Sequence, residues 1–483
     1  MAHEFRDYAP DQVFLMPPSP RDWLPEDHLA YQVLDVVSLL DMKPFLSGYS
    51  TDGRGAPAYP PIMLTTLLLY GWCLHVYSSR KLEALCRNDV GARVIVAGHE
   101  PDHRSINLFR LRHGEALSNL FEQSVRLCER TGMVGMVNLA IDGSKIEASA
   151  SKRKAMSYSR MVEEEARLKA AIAGYLQRAQ EEDAAEDVLF GHDEAGPKLP
   201  GELRRRKSRL AKICEAKAVL EAEAQAAAEA AAKARADKEA QSDKALVGRK
   251  PNIDPAPKES AQRSFTDPDS RIMKGSDGAF LQAYNAQAAV DEKHQVILAC
   301  DLTQNANDKR MLTPMLEQTL AQMGVKPDAV LADPGYYSEE NVAAMDTMGV
   351  KALIPPDKER CGTPTNPAPT MSEEAFALLS TREKMRYLIS TAEGRDAYRR
   401  RKGIVEPVFG QIKGSAGNPG YLGFLRRGLT KCTEEWHWVC ARHNIMKYIR
   451  FKIAQNSPPL PEKQTRSLSR RQDCAYRTLE MTL

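Results

Sequence analysis

Val137-Asn-Leu-Ala-Ile-Asp-Gly-Ser-Lys145 is an aliphatic run that ends in an acid. The run from Val137 to Ile141, bounded by Gly132 and Gly143, has the composition of a short buried strand. Asp142 follows at the point where that strand would meet solvent. A carboxylate held there by a rigid element suits a metal ligand better than one on a loop. The competing reading is an aspartate that ends the strand by turn chemistry.

Two stretches further along shift the balance toward chemistry. Asp328-Ala-Val-Leu-Ala-Asp-Pro-Gly-Tyr-Tyr-Ser338 repeats the pattern, with Asp333 after an aliphatic run. Tyr398-Arg-Arg-Arg-Lys-Gly-Ile-Val-Glu-Pro-Val-Phe-Gly-Gln-Ile-Lys413 places Glu406 among basic residues. Two strand-end aspartates and a glutamate, with no Cys or His beside them, form a hard oxygen set suited to Mg²⁺ or Mn²⁺. Two such ions about 4 Å apart are the standard device for in-line attack on a phosphodiester.

These three stretches, in this order, resemble the bacterial insertion-sequence transposases of the DDE class, in the IS-five-like group. Tyr8-Ala-Pro-Asp-Gln12 and Arg21-Asp-Trp-Leu-Pro-Glu-Asp-His28 fit the same group. The likeness covers nearly the whole chain except an alanine-rich middle and the tail. It implies an RNase H-like catalytic domain, with Asp142, Asp333 and Glu406 as catalytic residues holding two Mg²⁺ (or Mn²⁺) ions. A Tyr-Arg-Glu-Lys signature often surrounds the glutamate in such enzymes. Lys413 stands seven positions after Glu406, as that signature asks. Tyr398 and Arg401 each lie one residue further upstream than it has them, and Lys402 occupies the expected basic position. The resemblance makes Tyr398, Arg401, Lys402 and Lys413 DNA-binding candidates that hold a phosphate near the scissile bond. Pro407 directly after Glu406 implies that a helix begins or kinks there.

The totals agree with a nucleic-acid enzyme of several domains. The chain has 483 residues, an ordinary apolar fraction of 43% and a net charge of only +3. Its basic residues are clustered, at Arg204 to Lys212, Arg399 to Lys402, Arg426-Arg427 and in the tail. Such local clusters matter more for DNA than the total does. Nine scattered cysteines point to a reducing cytoplasm rather than a disulfide framework. Cys432, His437, Cys440 and His443 have spacing reminiscent of zinc sites, but they fall on one continuous helical segment and are expected to be core. No signal peptide is visible, and no apolar run reaches the roughly 18 residues of a membrane span.

In chain order, the pattern predicts an α+β protein with an all-helical N-terminal domain over 1–132. The RNase H-like catalytic domain then occupies 133–154 and resumes over 263–455. A helical hairpin insertion at 155–262, with coiled-coil character, interrupts it after the first strand, and 456–483 forms a disordered basic tail. In the N-terminal domain, Pro60-Pro61 is expected to open one helix, Ile62 to Val76, and Ser78-Ser79 to cap another. A helix starting at Asp102 or Ser105 would offer Arg104, Asn107, Arg110 and Arg112 to solvent or phosphate, which makes Arg104 and Arg110 DNA-binding candidates in a helix-turn-helix. Phe280 to Val290 and Gln295 to Leu302 read as a β-hairpin, and Asp308 as the cap of the helix that follows. Residues 357–383 read as a loop-rich excursion.

The function expected is therefore a transposase that binds double-stranded DNA at its element's terminal inverted repeats, cuts it, and joins the freed 3′-OH to target DNA. A homodimer is expected in the paired-end complex, in the cytoplasm, without a membrane. The alternatives are a metal-dependent nuclease of the same fold and a non-catalytic DNA-binding protein. Deleting 1 to about 130 is expected to spare the catalytic core. The insertion, whose apolar seam is thin, is expected to need a partner or DNA to cover it and to be replaceable by a short linker.

Overall fold

The strand carrying Asp142, β1 (Asn138–Glu147), is the centre of a six-stranded sheet. In this computed structural model the described residues are 19–47, 49, 58–151, 154–190, 201–241, 255–275, 278–357, 371–415 and 418–456. The Tyr8 to Gln12 motif, residues 191–200 and 242–254 of the insertion, 358–370 of the expected loop-rich excursion and the expected basic tail fall outside them. Clustering of contacts divides the chain into two units, one of residues 1–116, 120–134 and 441–483, the other of 117–119 and 135–440.

In the second unit β1 is followed by β2 (Ala155–Ser157) and β3 (Gln262–Ser264), which pair only with each other. Then come β4 (Arg271–Lys274), β5 (Phe280–Asp291), β6 (Ile297–Thr303), β7 (Ala329–Ala332) and β8 (Lys351–Leu353). The sheet runs β4-β5-β1-β7-β8, with β6 also on β5. β5 lies antiparallel to β1, whereas β7 is parallel to β1 and to β8. Parallel neighbours need a crossover. The chain supplies α9 (Leu312–Met323) before β7 and α10 (Glu339–Met348) before β8. An antiparallel hairpin beside a central strand, then two parallel strands each reached through a helix, is the RNase H-like arrangement. Buried Ala283, Ala286, Ala288 and Ala289 give β5 small side chains beneath its neighbours.

β1 is longer than its aliphatic core. It continues through Asp142 to Glu147, because Gly143 to Glu147 keep pairing with Gln287 to Ala283. Only its pairing with β7 stops at Ile141, opposite Ala332. Asp142 thus ends the strand toward one neighbour and lies mid-strand toward the other.

The insertion is built from α7 (Tyr158–Phe190) and α8 (Gly201–Gln241), which pack on each other. Met161 and Leu168 meet Ile213, Ala216 and Leu220, and Met156, Tyr158, Leu210, Ala261 and Phe265 close the base of this cluster. Glu165 bridges the two helices through Lys217 at 2.9 Å and pairs with Lys169 at 2.6 Å. The hairpin therefore has a core of its own, anchored on the β2–β3 ribbon.

The stretch expected as a loop, 357–383, contains the helix α11 (Glu373–Leu378) and the start of α12 (Thr381–Ser390). Ser372 caps the first, and Ser380 with Glu383 forms a capping box on the second. α13 (Ala392–Lys413) follows, ending beside a small ribbon of β9 (Gly414–Ser415) and β10 (Asn418–Pro419), and α14 (Leu429–Asn456) closes the described chain.

The first unit is helical: α1 (Leu29–Ser38), α2 (Pro61–Cys73), α3 (Ser79–Asn88), α4 (Val90–Ile95), α5 (His103–Arg112), most of α6 (Gly114–Arg130), and α14 from residue 441 on. α2 is buried on every side from Met63 to Cys73. Asp89 and Asp102 cap α4 and α5 by accepting from Ala92 and Ser105 N–H groups at 2.6 and 2.7 Å. Ser78 precedes α3 as expected, but its side chain makes no capping bond. Among the described residues no helix is long and apolar enough to cross a membrane.

Candidate active site

The pairing of Ile141 with Ala332 places the next residues, Asp142 and Asp333, at the ends of adjacent parallel strands. Each acid has one oxygen tied to its own turn. Gly143 N–H donates to Asp142 Oδ1 at 2.8 Å, and Gly335 N–H to Asp333 Oδ1 at 2.9 Å. The second oxygen of Asp142 accepts from Arg401 Nη1 on α13 at 3.2 Å. Arg401 is buried, only 8% exposed, and its Nε has no hydrogen-bond partner among the described residues. Burial pushes the Asp142 carboxyl up to about 6; the charge of Asp333 acts the same way, while Arg401 and the Gly143 N–H oppose both. Two carboxylates at the ends of neighbouring strands repel each other, and a guanidinium lies against one of them.

Tyr336, three residues after Asp333, is fully buried at the same place. Burial raises the pKa of its phenol, and so do the charges of Asp308, Asp142 and Asp333. Asp308 stands where its position in the sequence predicts a helix cap. It does precede a 3₁₀ turn, Lys309–Met311, but makes no capping bond. Its carboxylate turns instead to Asn285, Gln287 and Lys145.

Glu406 lies on α13, seven residues and so two turns before Lys413, which puts both on one flank of the helix. That flank faces β1 at Lys413, whose Nζ donates to Ser144 Oγ at 2.6 Å and to the Lys145 carbonyl at 3.3 Å. Burial lowers the pKa of Lys413, with Lys145 adding to the effect. Glu406 itself is exposed and makes no hydrogen bond or ion pair among the described residues. Nor do the described residues contain a ready group of three or more Cys, His, Asp or Glu side chains able to hold a metal ion. Asp142 and Asp333 thus end neighbouring strands, while Glu406 is exposed on α13.

Pro407 lies inside α13 rather than opening it. A proline has no N–H for the carbonyl four residues back, here that of Gly403. Gln295, in the β5–β6 turn, fills that gap: its Nε2 donates to the Gly403 carbonyl at 2.8 Å.

The other candidates sort by environment. Tyr398 is half-buried, with the Arg401 guanidinium 5.9 Å from its ring centre, and Lys402 is exposed. In the helical unit Arg104 is exposed, whereas Arg110 turns inward to the Tyr77 carbonyl at 3.3 Å and over the Trp72 ring. Arg104 lines a surface groove with Ser78, Ser79, Arg80, Asn107 and Leu108. On α14, Cys432 donates to the Arg426 carbonyl, and His437 shares a hydrogen bond with Ser118 at 2.6 Å, so these side chains serve packing.

Residues 255–418 match the family described as Transposase DDE domain, and residues 18–112 match the one described as Transposase domain (DUF772). No curated protein and no solved structure matches the chain.

Proposed function

The chain belongs to the DDE-class insertion-sequence transposases, and on that premise we propose that it binds the ends of its element, cuts the DNA strand there and joins the freed 3′-OH to target DNA. The observation that carries the proposal is the pair Asp142 and Asp333 at the ends of adjacent parallel strands, with Arg401 and Lys413 beside them.

Asp142 and Asp333 would hold divalent cations, with Glu406 brought in from the exposed flank of α13. The donor set fits: it offers carboxylate oxygens without thiol or imidazole, which suits Mg²⁺ or Mn²⁺. Bound there, the ions would supply an activated water and charge stabilisation at the leaving 3′ oxygen. The protein's own part is to position and to neutralise. Lys413, bonded to β1 next to Asp142, and the exposed Lys402 on the same helix would hold a DNA phosphate in register with the acids. Arg401, buried against Asp142, neutralises that carboxylate while no other cation does. The Tyr398 ring lies against the same guanidinium.

End recognition falls to the helical unit. Its groove offers Arg80 and Arg104 for phosphates, and Asn107 and Leu108 at the exposed face of α5 for base edges. Arg110 holds α5 in place rather than reading DNA. Two copies of the chain would be needed to bring two ends together.

Incubating the protein with Mg²⁺ and labelled element-end DNA tests this reading. Joined products support transposition, cut products alone leave a nuclease, and intact bound DNA leaves a binding protein. Asp142→Asn, Asp333→Asn and Glu406→Gln are each expected to lose cleavage while keeping end binding, because affinity comes mainly from basic side chains. Full Mg²⁺-dependent cleavage by any one of them would remove that residue from the site.

A further inference from the structure

Behind Asp142, on the opposite face of β1, lies a part-buried polar cluster that the reaction above does not use. Asp308 Oδ1 accepts from Asn285 Nδ2 at 2.5 Å, from Gln287 Nε2 at 2.8 Å and from Lys145 Nζ at 3.3 Å. Gln287 Oε1 in turn accepts from the buried Tyr336 hydroxyl, and the Gln287 carbonyl accepts from Trp436 Nε1 at 3.0 Å. The amide of Asn341 donates at 2.7 Å both to the Lys309 carbonyl, next to Asp308, and to the Tyr336 carbonyl. The chain of contacts therefore starts on β1 at Lys145, passes through Asp308 and Gln287, and ends in the turn that carries Asp333.

Gly143 makes the cluster possible. A Cβ there would lie 2.2 Å from Gln287 Nε2 and 2.7 Å from Asp308 Oδ1. The cluster is thus seated on the backbone one residue after Asp142. Asp308 forgoes the local capping bond that its position offers in order to join it.

We propose that Asp308 is a positioning residue for the reaction: through Lys145, Gln287 and Tyr336 it fixes the separation of Asp142 and Asp333, and so the affinity of the site for its divalent cations. This rests on the reading of those two acids as cation ligands. Partners that orient metal ligands typically cost 10- to 100-fold in metal affinity when removed.

The test is Mn²⁺ binding by the full-length protein, followed by electron paramagnetic resonance, with Asp308→Asn, Tyr336→Phe and Asp142→Asn compared with the unaltered chain. Asp308→Asn is expected to bind Mn²⁺ about tenfold more weakly. Tyr336→Phe, which cuts the link at its other end without changing any charge, should weaken binding in the same direction. Thermal unfolding of each variant is followed alongside. Wild-type Mn²⁺ affinity in both Asp308→Asn and Tyr336→Phe, beside a loss in Asp142→Asn, would overturn the positioning role alone. Wild-type affinity in Asp142→Asn would instead bring down the ligand reading on which it rests. An affinity that falls only in step with the folded fraction would also overturn it, because the cluster would then be structural.

Discussion

Gly143 shows how one missing methyl group sets the geometry of the site. Gly143→Ala places a Cβ against Gln287 and Asp308, neither of which can move without breaking its own bonds. Overpacking of this kind costs about 1–3 kcal/mol. The variant should melt at a lower temperature than the unaltered protein, and an unchanged melting curve would mean the cluster yields freely. A second residue-scale prediction concerns His75 in the helical unit. Burial, then the charges of Arg442 and Arg450, hold its imidazole down at about 4. The folded protein therefore binds fewer protons than the unfolded chain between that value and the ordinary 6.5 of histidine. Stability from this source is present above pH 6.5 and is lost as the pH falls toward 4. Lowering the pH from 7 to 5 should cost about 1–2 kcal/mol through His75, and His75→Asn, which tolerates the positive φ there, should lack that share in urea unfolding. Equal losses in both proteins would assign the acid sensitivity elsewhere. Asp142 and Asp333 were legible in sequence because an aliphatic run ending in an acid is a local pattern. Arg401 against Asp142 and Asp308 against Gln287 were not, because both follow from how distant strands and helices pair. Asp308 even carries a misleading local signal, standing where a cap would stand.

At the scale of elements, α13 shows a local rule broken and compensated from outside. Pro407 leaves the Gly403 carbonyl without its helical donor, and the Gln295 amide replaces it. Gln295→Ala should cost about 1 kcal/mol. In a Pro407→Ala background, the new backbone N–H can return to that carbonyl, so the same change should cost measurably less. Urea unfolding of the four proteins gives the coupling directly. Equal costs in both backgrounds would mean the Gln295 contact carries no stability. The sequence left open whether a helix begins or bends at Pro407, since the donor that resolves it comes from a distant turn. Helices with strong local starts were easier to read: Ser338 caps α10 by accepting from Asn341 N–H at 3.1 Å. The Ser380 to Glu383 capping box is equally local, but it follows a proline-rich segment that reads as loop.

At the scale of the whole molecule, the order of the chain does not match its units. The helical unit includes residues from 441 on as well as the N-terminal part. Within it, Asn444 Nδ2 donates to Ser124 Oγ at 3.3 Å, and its carbonyl accepts from the Cys128 thiol. Deleting 1 to about 130 would therefore strip buried Ala441, Ile445 and Ile449 of their cover, and a clean catalytic fragment must also end near residue 440. The insertion calls for the same care. Its base is closed by Met156, Ala261 and Phe265, which lie outside α7 and α8, so a linker in place of the entire hairpin would expose them. It should lower the melting temperature rather than leave the core untouched. A shorter cut avoids this. Replacing residues 172–208 by a brief Gly/Ser turn keeps Met161, Leu168, Ile213 and Leu220 together and removes only the distal part. The expected result is unchanged melting and normal binding of a single DNA end, but poor assembly of paired ends. The reason is that no described residue of the distal part belongs to that core, and that it carries the basic run from Arg204 to Lys207, whose Arg204 and Arg205 are exposed. An exposed basic helix is suited to lie against DNA or the acidic surface of a second copy. Native gels with labelled ends separate single-end from paired-end complexes, and paired-end complexes at the normal level would reduce the distal hairpin to a spacer.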